Sequence, residues 1–191
     1  MNHERHPLHK DVGRAMSEWM SALPDPRVEL FLSNDCGGSG ALKVRRSMGD
    51  YPGVEMVNAD LLVVRDGEVR LQIEIEERDT SPTKLYGKVL ASSMCDGFHP
   101  NRLENGIPFA SHTAFIQIVR RNEPEGPRQP KKPRQWKEVK ETIVGELLPF
   151  LASTSRKSPR VMKYDMLENV GASLQTDKKA MMIAAVERAV E

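Results

Sequence analysis

The chain has 191 residues, 39% of them hydrophobic and 29% charged, with a formal net charge of +1. This suits one soluble globular domain. It leaves nucleic acid and acidic substrates open as partners, because the distribution of charge matters more than its sum. With 5% aromatic residues, the core must rest on Leu, Ile, Val, Met and Ala. Cys36 and Cys95 make no disulfide framework and sit in no zinc-ligand spacing, so a reducing compartment is the default. No apolar run approaches the roughly 20 residues that span a bilayer. The opening "MNHERHPLHKDV" has no apolar signal-peptide region. No membrane association and a cytoplasmic location are expected.

His3, His6 and His9 lie in a polar lead-in. Their spacing is not that of one helix face, so a frayed terminus is expected there rather than a metal site. From about His9 the period is helical, with Val12, Ala15, Met16, Trp19, Met20 and Leu23 forming one apolar stripe. "PDP" at 24–26 ends it, and "VELFLS" continues it or forms a short strand. "NDCGGSGALKVRR" lacks the Gly-Lys-Ser/Thr of a phosphate-binding loop and reads as a mobile turn. Its Lys43, Arg45 and Arg46 are candidates for contact with a phosphate backbone.

"VEMVNADLLVV" is a β-branched strand, and "EVRLQIEIEE" alternates. Val69, Leu71, Ile73 and Ile75 fall on one face, and Arg70, Gln72, Glu74 and Glu76 on the other. "RDGE" between the strands is a hairpin signal, because Asp-Gly supplies positive φ. "SPTKLYGKVLASSMCDGF" follows as a helix with Ser81 as cap, Pro82 in its first turn and Gly97 at its end. Lys84 and Lys88 share a face of it. "HTAFIQIVRR" is a further strand, parallel to "EVRLQIEIEE" because a helix crosses between them. His112 at its start reads as structural.

Arg120–Lys140 carries eight Lys/Arg against three Glu and is rich in proline. It reads as an exposed loop, with Lys131, Lys132 and Arg134 as DNA contacts or as a solubilising connector. Trp136, Val139, Ile143, Leu147 and Leu151 then form a helical stripe. "ASTSRKSPR" reads as a flexible connector, and "DKKAMMIAAVERAVE" as an amphipathic helix capped by Asp177. The expected architecture is one α/β domain over 1–191 with a central mixed sheet flanked by helices. Its core spans about 9–151, and 152–191 is a connector and C-terminal helix.

Alternating polar residues on a strand usually mark a solvated face, and Glu77 at the strand end reads as surface. Asp60 differs, because it interrupts a run of branched aliphatics. A buried ionised carboxylate costs several kcal/mol unless it is paired. Arg70 would serve, and so would a divalent metal. Asp60 and Glu74 on neighbouring strands offer the hard oxygens that Mg²⁺ takes, with Glu76 one step along to orient a water or hold a second ion. A simple two-residue turn at Asp66-Gly67 would set Asp60 opposite Ile73, so that Asp60 and Glu74 point to opposite faces. A shared metal therefore requires a longer turn, a bulge or a twist near Asp60.

An acidic residue in one strand, a hairpin, an acid-x-base pair in the next strand, then a helix and a strand resembles the PD-(D/E)XK nuclease superfamily. The likeness spans roughly Met56 to Arg120, with the leading helix and the Trp136 helix as flanks. It implies a restriction-endonuclease-like core in which Asp60 and Glu74 hold Mg²⁺, or Mn²⁺ in its place. Glu76 stands where that family usually has Lys, as it does in a minority of its restriction enzymes, and Ala59 replaces the usual Pro. Glu76 would then act as a base or as a further metal ligand, or Lys84 or Lys88 would supply the missing charge. The resemblance favours a type II restriction endonuclease acting on double-stranded DNA as a homodimer, with His99, Asn101 and Arg102 as base readers. A repair or recombination nuclease stands close to it. The alternatives are a non-catalytic DNA- or protein-binding module that kept the fold, and a domain whose strand carboxylates are ordinary surface.

Overall fold

A computed structural model describes residues 6–46, 55–77, 80–100, 106–121, 132–154 and 161–191; in 132–134, 154 and 161 it describes the backbone alone. Helix α1 (Pro7–Ala22) leads into β1 (Val28–Leu32), a 3₁₀ turn at Asn34–Cys36 and β2 (Leu42–Arg45). Next come β3 (Glu55–Ala59), β4 (Leu61–Arg65), β5 (Glu68–Glu76) and α2 (Pro82–Ser93). Then follow β6 (Gly97–Phe98), β7 (Ile107–Arg121), α3 (Lys132–Thr142), α4 (Leu148–Thr154), β8 (Val161–Val170) and α5 (Thr176–Val190). The strands form one eight-stranded mixed sheet in the order β1-β4-β5-β7-β6-β2-β3, with β8 also on β7. The β4–β5 hairpin is antiparallel, and β5, β7 and β8 run parallel.

The α1 stripe packs Leu8, Val12, Ala15 and Met16 onto one face of the sheet, against Leu61, Val63, Leu71, Ile73 and Ile75. Helix α5 joins the same layer through Met182, Val186 and Val190, so it packs within its own chain. On the opposite face, α2, α3 and the turn after α3 bury Leu85, Val89, Trp136, Val139 and Ile143 against Phe115 and Val119. Between α3 and α4, Ile143–Leu147 forms a π turn. Pro149 two residues on lacks an N–H and would crowd the carbonyl four residues back in a regular helix.

Several expectations change. Residues 161–170 form a strand beside β7, not part of a tail. Gln175, whose side chain accepts the Val170 N–H at 3.2 Å and makes no bond to the helix, is the N-cap of α5 in place of Asp177. Gly97 lies in β6, whereas α2 ends at Ser93; its N-cap is Ser81, whose hydroxyl accepts the Lys84 N–H at 3.3 Å. The "NDCGGSG" turn is fixed against α1, since a Cβ on Gly13 would lie 1.9 Å from the Cys36 carbonyl oxygen. The proposed connector at 155–160, and His3, lie outside the described residues.

The hairpin answers the question of register. Asp66 (φ 54°) and Gly67 (φ 75°) make the two-residue turn, and Arg65 pairs with Glu68. The register then shifts: Val64 faces Val69 but Val63 faces Leu71, leaving Arg70 as a bulge, and Leu61 faces Ile73. Continued by one residue, this sets Asp60 opposite Glu74. The bulge also turns Val69 from the face of Leu71 into a separate cluster with Leu62, Val64 and Phe98.

Candidate metal and catalytic centre

Asp60 occupies the bend between β3 and β4, where the chain leaves one part of the sheet for the other. Its Oδ2 accepts the Ile75 N–H at 2.7 Å. The side chain thus takes the ladder position that the departing β3 gives up. Its Oδ1 lies 3.5 Å from His9 Nε2. Arg70, the simplest counter-ion from the sequence, pairs with Glu68.

The polar face of β5 is not solvated. Gln72 and Glu74 are fully buried, and Glu76 is 2% exposed. The roof over them is α2. Lys88 Nζ lies 2.5 Å from Glu74 Oε2 and 2.9 Å from Glu76 Oε1, while Lys84 Nζ lies 2.6 Å from Glu76 Oε2. The four-residue spacing of Lys84 and Lys88 puts both ammonium groups over two carboxylates that are two residues apart on a strand. Gln72 Nε2 donates to Glu74 Oε1 at 2.7 Å and to Ser92 Oγ at 3.0 Å. Gln117, beside Glu74 on β7, donates to the Leu85 carbonyl and accepts from the Tyr164 hydroxyl.

Burial, reinforced by the neighbouring Asp60 carboxylate, pushes Glu74 up to about 7 against the pull of Lys88 and Gln72. Burial would lower the Lys88 ammonium, but Glu74 and Glu76 reverse this and hold it above its ordinary range. Lys88 therefore stays charged, and Glu74 takes up a proton before Lys88 gives one away. Two carboxylates, Glu74 and Glu76, face two ammonium groups, Asp60 turns to His9 and the Ile75 N–H, and Gln72 Oε1 is buried without a hydrogen-bond partner. The oxygens of Asp60, Glu74 and Glu76 are hard donors of the kind Mg²⁺ takes, but among the described residues these three do not bring their ligand atoms within 4.8 Å of one another.

The sequence also left a second group unread. His9, expected in a frayed terminus, is 7% exposed, and Glu77, expected on the surface, has a largely buried side chain. Pro7 opens α1, which puts His6 at the N-cap and His9 in the first turn. The Glu77 carboxylate accepts the His9 backbone N–H at 3.0 Å, where the helix start favours an anion. Burial opposes charge on His9, but Asp60 and Glu77 outweigh it and raise the imidazole above its ordinary 6.5. The available signal was Pro7, which fixes where the helix begins.

The DNA-contact candidates fare differently. Lys43 pairs with Glu55 at 3.0 Å, Arg45 is buried and Arg46 is exposed. Arg45 is therefore not on the surface that a phosphate backbone would meet. His99 is buried as well, and His112 is exposed beside Ser111. Asn101, Arg102 and Lys131 lie outside the described residues, as do the side chains of Lys132 and Arg134 in the first turn of α3. Cys36 is buried and its thiol is pushed up to about 12, chiefly by burial, which makes it a poor nucleophile. Among the described residues, no helix is long and apolar enough to cross a membrane.

No family model matches this chain, and neither the curated proteins nor the solved structures contain a match to it.

Proposed function

We propose that the protein is a Mg²⁺-dependent endodeoxyribonuclease with a restriction-endonuclease-like core, of the PD-(D/E)XK type. The observation that carries this reading is the Arg70 bulge, which pairs Leu61 with Ile73, so that the ladder continued by one residue would set Asp60 opposite Glu74 where β3 and β4 part company. The order of α1, β1, the β4–β5 hairpin, α2 and parallel β7 around those carboxylates supports it. Asp60 and Glu74 would hold the ion, with Glu76 as a further ligand. When bound, Mg²⁺ supplies charge stabilisation at the phosphodiester and activation of the attacking water.

Lys84 and Lys88 supply the positive charge that Glu76 cannot. They hold both glutamates in place and would release an oxygen to an incoming cation. The preferred substrate is double-stranded DNA and the preferred class a type II restriction endonuclease, for which a homodimer would cut both strands. A repair or recombination nuclease would use the same residues. Arg46, Arg102, Lys131, Lys132 and Arg134 are the proposed DNA contacts, with Lys43 available if it leaves Glu55.

One observation favours a second reading, a non-catalytic DNA- or protein-binding module. Both β5 glutamates already have lysine partners, as a structural polar core would require. Plasmid nicking with Mg²⁺ or Mn²⁺ separates the two. The expected result is cleavage that Asp60→Asn and Glu74→Gln each reduce by roughly 1,000-fold or more, several kcal/mol of barrier. Cleavage that survives both substitutions would sink the site. DNA binding with no cleavage under either ion would favour the binding module.

A further inference from the structure

Among the described residues, the group of three or more His, Cys, Asp or Glu whose ligand atoms lie within 4.8 Å of one another is His6, His9 and Glu77. We propose that these three residues form a site for one transition-metal ion of the Zn²⁺ type, separate from the oxygen-lined cluster under α2. The proposal stands on its own geometry and does not depend on nuclease activity.

The distances are those of ligands, not of good hydrogen bonds. His6 Nδ1 lies 3.3 Å from Glu77 Oε2, and His9 Nδ1 lies 3.3 Å from Glu77 Oε1. Two donors each about 2.0–2.1 Å from a tetrahedral ion sit about 3.3 Å apart. His9 Nδ1 is buried and has no hydrogen-bond partner, an arrangement that a native interior seldom leaves unexplained. The other nitrogen of the same ring, Nε2, faces Asp60 Oδ1. A metal-ligating imidazole commonly donates its second N–H to a carboxylate, which fixes the tautomer and leaves the first nitrogen as a lone-pair donor. Here that tautomer directs the His9 Nδ1 lone pair at Glu77 and His6.

His6 adds a conformational signal. It holds φ 62°, the left-handed region, although it is not glycine and precedes a proline, where extended backbone is normal. Strain of this kind persists where the surroundings fix it, often at ligand sites. The turned backbone brings the His6 ring to 5.3 Å from the His9 ring, edge to face. Two imidazoles and one carboxylate favour Zn²⁺, Co²⁺ or Ni²⁺ over Mg²⁺ and leave a coordination position open. The ion would fasten the start of α1 to the end of β5 and set the His9 ring that touches Asp60.

Untagged full-length protein titrated with Co²⁺ tests this through its visible absorption. One equivalent should bind with a ligand-field band, Zn²⁺ should displace it, and excess Mg²⁺ should not. His6→Ala and His9→Ala should each weaken binding roughly 100-fold or more, and Asp60→Asn about 10- to 100-fold, as loss of a supporting carboxylate does. Glu74→Gln should leave it unchanged. His6 is partly exposed, so His6→Ala keeps the test decisive if His9→Ala fails to fold. The proposal is overturned by the absence of a one-equivalent transition, by binding that persists in the His6→Ala/His9→Ala double variant, or by binding lost in Glu74→Gln.

Discussion

Strand β5 buries both of its faces, and it fills them with opposite chemistry. Toward α1 and α5 it presents Leu71, Ile73 and Ile75 to a layer of aliphatic side chains. Toward α2 it presents Gln72, Glu74 and Glu76, equally buried but held by Lys84, Lys88 and Ser92. The first face is stabilised by area removed from water and tolerates no charge. The second exists only because each carboxylate meets an ammonium or amide donor, since an unpaired buried charge would exceed what a domain's marginal stability can absorb. Alternation along a strand therefore fixes which residues share a face but not whether that face is wet. That depends on what α2 carries above it.

The most severe way to break the comparison is to exchange the faces. Deleting Gln72, beyond the bulge, moves the rest of β5 by one residue relative to β4, which would send Glu74 and Glu76 toward the aliphatic layer and Ile73 and Ile75 under α2. The expected outcome is loss of cooperative unfolding and of near-ultraviolet circular dichroism. A deletion variant with wild-type unfolding would show that the register of β5 does not decide which face its carboxylates take.

Single substitutions compare the two faces directly. Lys88→Met leaves Glu74 buried beside Asp60 without its nearest counter-ion, and a loss of about 3–5 kcal/mol is expected in urea unfolding. Adding Glu74→Gln should restore most of it. On the other face Ile73→Ala should cost about 2–5 kcal/mol through lost burial and a residual cavity, and Glu74→Gln should not restore it. A Lys88→Met loss below about 1 kcal/mol would mean that the pair behaves like a surface ion pair.

The parts of this arrangement that were legible in the sequence are the local ones. The α1 stripe, the Asp-Gly turn, the Ser81 cap and the parallel crossover follow from short-range periodicity and turn chemistry. Asp60 and Glu74 were legible as a pair with a register problem. The solution was not, because the bulge residue is an ordinary arginine with no glycine or proline to mark it. Strand β8 was missed because Lys163 and Asp165 break its apolar pattern, and its partner β7 lies about 50 residues earlier in the chain. His9 was misread because its burial depends on Asp60 and Glu77, contacts that no local period encodes.

The smallest expected effect, and the most specific, is a difference in pH dependence between the two faces. Glu74 under α2 and His9 in the first turn of α1 both have folded-state values above their ordinary ones. Each therefore contributes stability that is complete below its unfolded pKa and is lost as pH rises through its folded one. For Glu74 that loss runs from 4.5 to about 7, because the folded state keeps a proton that the unfolded chain has released. For His9 it begins near 6.5 and continues above it, as the imidazolium between Asp60 and Glu77 gives up its charge. Subtracting the unfolding free energy of Glu74→Gln from that of the wild type should give a difference that falls across the lower interval. The same subtraction with His9→Gln should give a difference that falls across the upper one. If both differences fall over one shared interval, the two faces titrate as a single unit through Asp60, which touches His9 and lies opposite Glu74.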